Sequence, residues 1–124
     1  MLVAEDNPVN RFVAREMLQR CGCSVFCVEN GAEALRLFTD QKWDLIFMDC
    51  QMPVMDGYRT TVLIRKHERS HSQVQTPVVA MTAHVQKADE QACYQAGMNG
   101  YLAKPVELND LCRILEKYLA ADTD

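Results

Sequence analysis

Five side chains able to do polar chemistry stand directly behind short apolar runs: Glu5 and Asp6 after LVA, Asp49 after LIFM, Thr82 after VVAM and Lys104 after GYLA. Acids behind strand-like runs do nothing for packing, so they call for a chemical reason. If the runs lie side by side, three carboxylates converge, and two unit charges about 4 Å apart repel by roughly 4 kcal/mol at an effective dielectric near 20. A hard divalent cation relieves that repulsion. Mg2+ takes few carboxylates, keeps several waters and accepts a phosphate oxygen, which suits an open acidic pocket, with Mn2+ as a substitute. The chain has no His/Cys set suited to zinc. A carboxylate in such a site can itself be a nucleophile that forms an aspartyl phosphate. Asp49, alone behind its run and followed by the turn CQMPVMDG, is the candidate. Phosphoryl transfer needs charge neutralisation more than covalent help. Lys104 offers an ammonium and Thr82 a hydroxyl for that purpose, Asp6 fits best as direct metal ligand, and Glu5 acts directly or through water.

The elements that must position these groups are legible as runs at Leu2 to Ala4, Val25 to Val28, Leu45 to Met48, Pro77 to Met81 and Gly100 to Ala103. Helical spacing fills the intervals. Val9, Val13 and Met17 recur every fourth residue, joined by Phe12 and Leu18; Leu35 and Phe38 follow a capping signal at Asn30 and Glu33. Ala88, Ala92 and Ala96 form a small-residue stripe, and Leu108, Leu111, Leu115 and Leu119 the last apolar face. Strands with little internal alternation are buried on both faces, so the pattern predicts an α/β domain with a doubly wound parallel sheet of five strands and five helices. In such sheets ligands bind beyond the carboxyl ends of the strands, where all five polar groups fall. HERSHSQVQT, from His67, reads as the longest loop.

At 124 residues the chain is sized for one domain, 1–124. It is 48% hydrophobic and 24% charged, with no apolar run long enough to span a membrane and a start that turns acidic too early for a secretory signal. A soluble, cytoplasmic protein without direct membrane contact is expected. Net charge is −4 and the basic residues are scattered apart from RKHER, Arg65 to Arg69, so no nucleic-acid partner is expected. RKHER reads as the solvated end of a helix. The six cysteines, none in a C-x-x-C pair, read as reduced thiols, mostly small core fillers, with CGC at Cys21 to Cys23 marking a helix that ends at Gly22.

The motifs VAEDN, FMDCQMPVMDG, AMTA and YLAKP resemble, in order and over essentially the whole chain, the receiver domain of two-component response regulators. The resemblance implies a flavodoxin-like sheet of order 2-1-3-4-5. It implies that Asp49 accepts a phosphoryl group from a phosphohistidine. Glu5, Asp6, Asp49 and the backbone carbonyl of Gln51 would hold Mg2+, and Lys104 and Thr82 would contact the phosphoryl oxygens. Thr82 and Tyr101 would be the switch, remodelling a face of the fourth helix, fifth strand and fifth helix. The partner implied is a histidine kinase or a histidine phosphotransfer domain, with the chain a monomer or weak dimer. A receiver catalyses its own phosphorylation and slow dephosphorylation and is not an enzyme on separate substrates.

Around the site, Pro53 fixes the loop, Asp56 can cap the next helix, Gly57 can adopt a backbone conformation barred to bulkier residues, and Lys104–Pro105 is expected to be cis by the same resemblance. His67 and His71 read as surface residues and His84 as bordering the pocket mouth. Trp43 covers core at the amino end of the sheet, and Met52 and Met55 line the loop beside Asp49. EDNPVNRFVAREML resembles receivers attached to hybrid sensor kinases. Asn7 and Asn10 carry that likeness, and Pro8 suits a first helical turn. Because Met1 begins almost inside the first strand, a longer natural context is expected, with the parent a hybrid histidine kinase. Two rivals remain open. A haloacid-dehalogenase-like phosphatase shares the Asp nucleophile, Mg2+ and Lys, but carries an acid where this chain has Gln51. An unphosphorylated interaction module on the same fold needs none of the five polar groups.

Overall fold

The computed structural model describes residues 1–83 and 86–119. His84 therefore lies outside the described residues. Strands and helices alternate without exception: β1 Leu2–Ala4, α1 Pro8–Arg20, β2 Phe26–Val28, α2 Gly31–Asp40, β3 Ile46–Asp49, α3 Gly57–Ser70, β4 Val78–Thr82, α4 Lys87–Ala96, β5 Gly100–Ala103 and α5 Leu108–Leu119. The strands form one parallel sheet in the order β2-β1-β3-β4-β5, as expected.

Successive strand residues point to opposite faces, and each face has its own core. Leu2, Ala4, Ile46, Met48, Val78 and Ala80 pack with Ala34, Phe38, Ile64 and Cys93 of α2, α3 and α4. Val3, Phe47, Val79, Met81 and Leu102 face Ala14, Leu18 and Leu111 of α1 and α5. Trp43 closes the amino end, half-buried, with its indole N–H donating to the Leu37 carbonyl at 3.1 Å. Helix starts follow the sequence signals. The Asn7 side chain accepts from the amides of Val9 and Asn10 at 2.9 and 3.1 Å, Asn30 from Glu33 and Asp56 from Arg59. Pro8 occupies the first turn of α1.

Not every apolar residue that marks the helical spacing is buried, and some expectations are corrected. Val9, Phe12 and Val13 do not enter the core: they are 67%, 55% and 37% exposed, and α1 is held by Ala14 and Leu18 instead. Leu108 is also exposed, and the buried residue of α4 is Cys93, one position beyond Ala92 of the expected stripe. The polar segment HERSHSQVQT is helical through Ser70. His67 is half-buried there, edge-on to Phe38 and stacked on His71.

RKHER is not a solvated run. Arg65 is 5% and Glu68 3% exposed, paired at 2.8 Å. The Arg65 guanidinium also donates to the carbonyls of Gly97 and Thr76 and to Asn99 Oδ1 at 2.9, 2.7 and 2.7 Å, while Glu68 accepts the Thr76 amide. An arginine buried this way satisfies its desolvated donors and ties α3 to the start of β4 and the α4–β5 turn. Gly97 ends α4 at φ 105 with Arg65 against it, so this corner needs glycine both for its backbone and for space.

Candidate functional site

The sheet register brings the polar groups together. Asp49 ends β3 opposite Met81, and Thr82 ends β4 opposite Ala103, so Thr82 at its strand's end and Lys104 just past β5 stand on the Asp49 edge of the sheet. Glu5 and Asp6 follow β1, the other neighbour of β3. All five, with Gln51, line one open cleft of about 270 Å3 at the carboxyl edge of the sheet.

Within it the Lys104 ammonium lies 2.7 Å from Glu5 Oε1 and 3.0 Å from Asp49 Oδ2. Glu5 is 1% and Asp49 4% exposed, whereas Asp6 stands open at the rim. The Glu5 carboxyl is held above its ordinary 4.5, first by burial and then by the neighbouring Asp49, against the pull of Lys104. Burial works against the Lys104 ammonium, yet its close contacts with the Glu5 and Asp49 carboxylates outweigh that and raise its pKa. The site is short of positive charge. One ammonium pairs with two buried carboxylates while a third stands exposed at the rim, and carboxylate oxygens of Glu5, Asp6 and Asp49 come within 4.8 Å of one another. Glu5 Oε1 meets the ammonium as a charge contact without an aligned hydrogen bond, which leaves a buried oxygen with acceptor capacity to spare. A hard, oxygen-seeking cation fits that donor set.

The turn after β3 is shaped around Asp49. The Gln51 amide donates to Asp49 Oδ1 at 3.2 Å, and the Gly57 amide returns to the Cys50 carbonyl. Val54 holds φ 69, a left-handed backbone rare for a β-branched residue, directly after Pro53, whose carbonyl accepts the Met55 amide. The conformational demand expected at Gly57 thus falls on Val54. Gly57 is glycine for another reason: a Cβ there would strike the Asp49 carbonyl and come within 2.9 Å of Met48 Cγ. Lys104–Pro105 is cis, as expected. Tyr101 is half-buried against the core on the α4 side of the sheet.

Two residues at the site escaped sequence reasoning. Arg11 donates to the carbonyls of Glu5 and Asp6 at 2.9 and 3.3 Å, fixing the strand end that carries the acids. Its signal was its place one helical turn inside α1, level with the acid pair. Cys50 packs behind Asp49 with its thiol 3.8 Å from Cys93, and burial followed by that neighbour pushes its pKa up to about 12. Asn10, without an assigned role from sequence, lines the cleft.

Comparison with known proteins agrees with this geometry. The family model for the response regulator receiver domain matches residues 1–116. The chain is 42% identical over 118 residues to hybrid signal transduction histidine kinase E of Dictyostelium discoideum, covering 94% of this chain but 7% of that protein. Among solved structures, it is 43% identical to the receiver domain of a sensor histidine kinase from Pseudomonas aeruginosa PAO1, which carries a magnesium ion in its active-site cleft. The TM-score is 0.86, with 96% and 95% of the two chains covered. It superposes with TM-score 0.94 at 29% identity, over 99% and 90% of the chains, on the Saccharomyces cerevisiae Ssk1 receiver domain, solved together with the histidine phosphotransfer protein Ypd1. Sheet order, acidic cleft and sequence match converge: the chain belongs to the response regulator receiver domain family.

Proposed function

We propose that the chain takes a phosphoryl group onto Asp49 from a phosphohistidine and, in response, changes a protein-docking face. The observation that carries this reading is Lys104 bridging Glu5 and Asp49 inside one cleft, with Asp6 at its rim. An Asp49 carboxylate oxygen attacks phosphorus, the O–P bond forms as the histidine N–P bond breaks, and the imidazole leaves with the electron pair. Three chain groups then serve the phosphoryl oxygens. Lys104 is already within reach of Asp49, the Thr82 hydroxyl ends the adjacent strand, and the Gln51 backbone amide after β3 faces the carboxylate. Glu5, Asp6, Asp49 and the Gln51 carbonyl are the ligands for Mg2+, which when bound neutralises charge developing on the transferred group. Mn2+, another hard cation, is expected to substitute.

The phosphoryl group puts up to two negative charges where one carboxylate stood. Thr82 moves toward it and Tyr101 turns inward, biasing the α4–β5–α5 face between two states. Reversal is slow attack by water. The domain therefore processes its own phosphate and does not turn over a separate substrate.

The partner is a histidine kinase or histidine phosphotransfer domain. The exposed apolar row of Val9, Phe12 and Val13, next to the cleft residue Asn10, gives a partner helix a landing surface. The 7% coverage of the Dictyostelium relative fits one receiver, residues 1–124, within a longer hybrid kinase. No helix among the described residues is long and apolar enough to cross a membrane. A cytoplasmic domain, monomeric or weakly dimeric, is the setting we propose, with neither nucleic acid nor lipid as a direct partner.

The test is incubation with acetyl phosphate and Mg2+ followed by intact-mass measurement. One phosphoryl adduct on the parent, absent with chelator and absent in Asp49→Asn, is expected. An adduct of equal yield in Asp49→Asn overturns the assignment, and sustained hydrolysis of small phosphate esters would favour the phosphatase reading.

A further inference from the structure

Two pairs of thiols lie close together among the described residues, and they differ in one respect that matters for reactivity. Cys50 and Cys93, 3.8 Å apart, are 2% and 1% exposed. Cys21 and Cys112 are 4.0 Å apart, but Cys21 is exposed and Cys112 only partly covered. A dissolved oxidant can reach the second pair and not the first.

Local structure also lets the second pair close. A disulfide needs its sulfurs about 2.05 Å apart, so the two must approach by roughly 2 Å. Cys21 caps the end of α1, where only the final turn restrains it, and is followed by Gly22 at φ 83 in open space. A shift there bends a helix terminus and leaves the buried anchors Ala14 and Leu18 in place. Cys112 sits inside α5, beside the buried Leu111, and provides the fixed partner.

We propose that Cys21 and Cys112 form a reversible disulfide by exchange with a low-molecular-weight disulfide, tying the end of α1 to α5. Cys21, as thiolate, attacks one sulfur of the oxidant. That S–S bond breaks, and one small thiol leaves and takes up a proton. Cys112 then gives up its proton and attacks Cys21 Sγ, expelling the second small thiol. Two protein thiols are oxidised and one small disulfide is reduced to two thiols. The bridge joins positions 91 residues apart, so it constrains the unfolded chain and raises the unfolding temperature of the oxidised form. Cys21 and Cys112 lie outside the phosphoacceptor cleft, so forming the bridge uses none of the cleft's side chains.

The experiment treats the folded chain with excess oxidised glutathione in chelator. The expected product is a protein lighter by two hydrogens, with no retained glutathione, Cys21 linked to Cys112 on peptide mapping, a higher melting temperature, and full reversal by dithiothreitol. Cys112→Ser should retain glutathione on Cys21, Cys21→Ser at its exposed position should form no bridge, and Cys50→Ser, whatever its own stability, should still form the Cys21–Cys112 bridge. The proposal is overturned if the parent retains glutathione as Cys112→Ser does, if the bridge found is Cys21–Cys23 or Cys50–Cys93, or if Cys21→Ser still loses two hydrogens.

Discussion

Replacing Lys104 with methionine keeps most of the side chain and removes its charge. In the parent, Nζ stands 2.7 Å from Glu5 Oε1 and 3.0 Å from Asp49 Oδ2. At an effective dielectric near 20, those contacts amount to about 6 and about 5.5 kcal/mol of gross Coulomb attraction. The variant does not lose that much, because Glu5 can take up a proton. Its carboxyl already titrates above 4.5, from burial and then from Asp49. Keeping it neutral at about pH 7, when the unfolded chain ionises it near 4.5, costs about 2.5 pH units at about 1.4 kcal/mol each. Roughly 3.5 kcal/mol is therefore the ceiling on Glu5's share of the loss at neutral pH. The sign follows from the proton count. The folded variant holds a proton that the unfolded chain has released, so its deficit grows as pH rises and closes as pH falls toward 4.5. Urea unfolding of parent and variant in chelator, between about pH 5 and about pH 7, measures this directly. We expect a deficit near 3 kcal/mol at the upper end, shrinking by about 1.4 kcal/mol per unit. A deficit under about 1 kcal/mol at neutral pH, or one indifferent to pH, refutes the description of the cleft as two buried acids held by one cation.

Three further outcomes follow from the same structure. Mg2+ at about a hundredfold its dissociation constant should stabilise the parent by about 2.7 kcal/mol in thermal melts and be reversed by chelator; Asp6→Asn, at an exposed ligand position, should lose most of that gain. Arg65→Met leaves Glu68 as a buried carboxylate without its cation and should cost about 3–5 kcal/mol in denaturant unfolding, partly recovered by adding Glu68→Leu; a parent-like midpoint for the single variant contradicts the network. The Cys50 thiol ionises at about 12 in the fold against 9.0 in the unfolded chain, so the folded state holds the extra proton between those values and stability falls as pH rises through that window. Cys50→Ala should flatten that alkaline loss by up to about 1.4 kcal/mol per unit, read from unfolding curves.

Much of this was legible in the sequence, because a strand buried on both faces must be a continuous apolar run and its end is then visible as the first polar residue. Asp49, Thr82 and Lys104 are such ends, and parallel topology forces them to one edge. The caps at Asn30 and Asp56 were legible for a similar reason, since capping acts over three residues. What failed was whatever depends on distant partners. Arg65 looks solvated inside RKHER because its acceptors come from Thr76, Gly97 and Asn99, which the local sequence does not show. Val9, Phe12 and Val13 have core-like spacing, but periodicity says that a helix has an apolar side and not what covers it. At Gly57 the residue was right and the reason wrong, because close approach to the Asp49 carbonyl is a tertiary fact.

The measurement that bears most directly on the central claim is the position of the phosphoryl group. The chain should be phosphorylated with Mg2+ present, reduced with borohydride, which converts an aspartyl phosphate to homoserine, and sequenced by peptide mass spectrometry. Homoserine at position 49 alone is the predicted result. Homoserine at another acid, or phosphate retained on His67 or His71 with residue 49 unchanged, would contradict it.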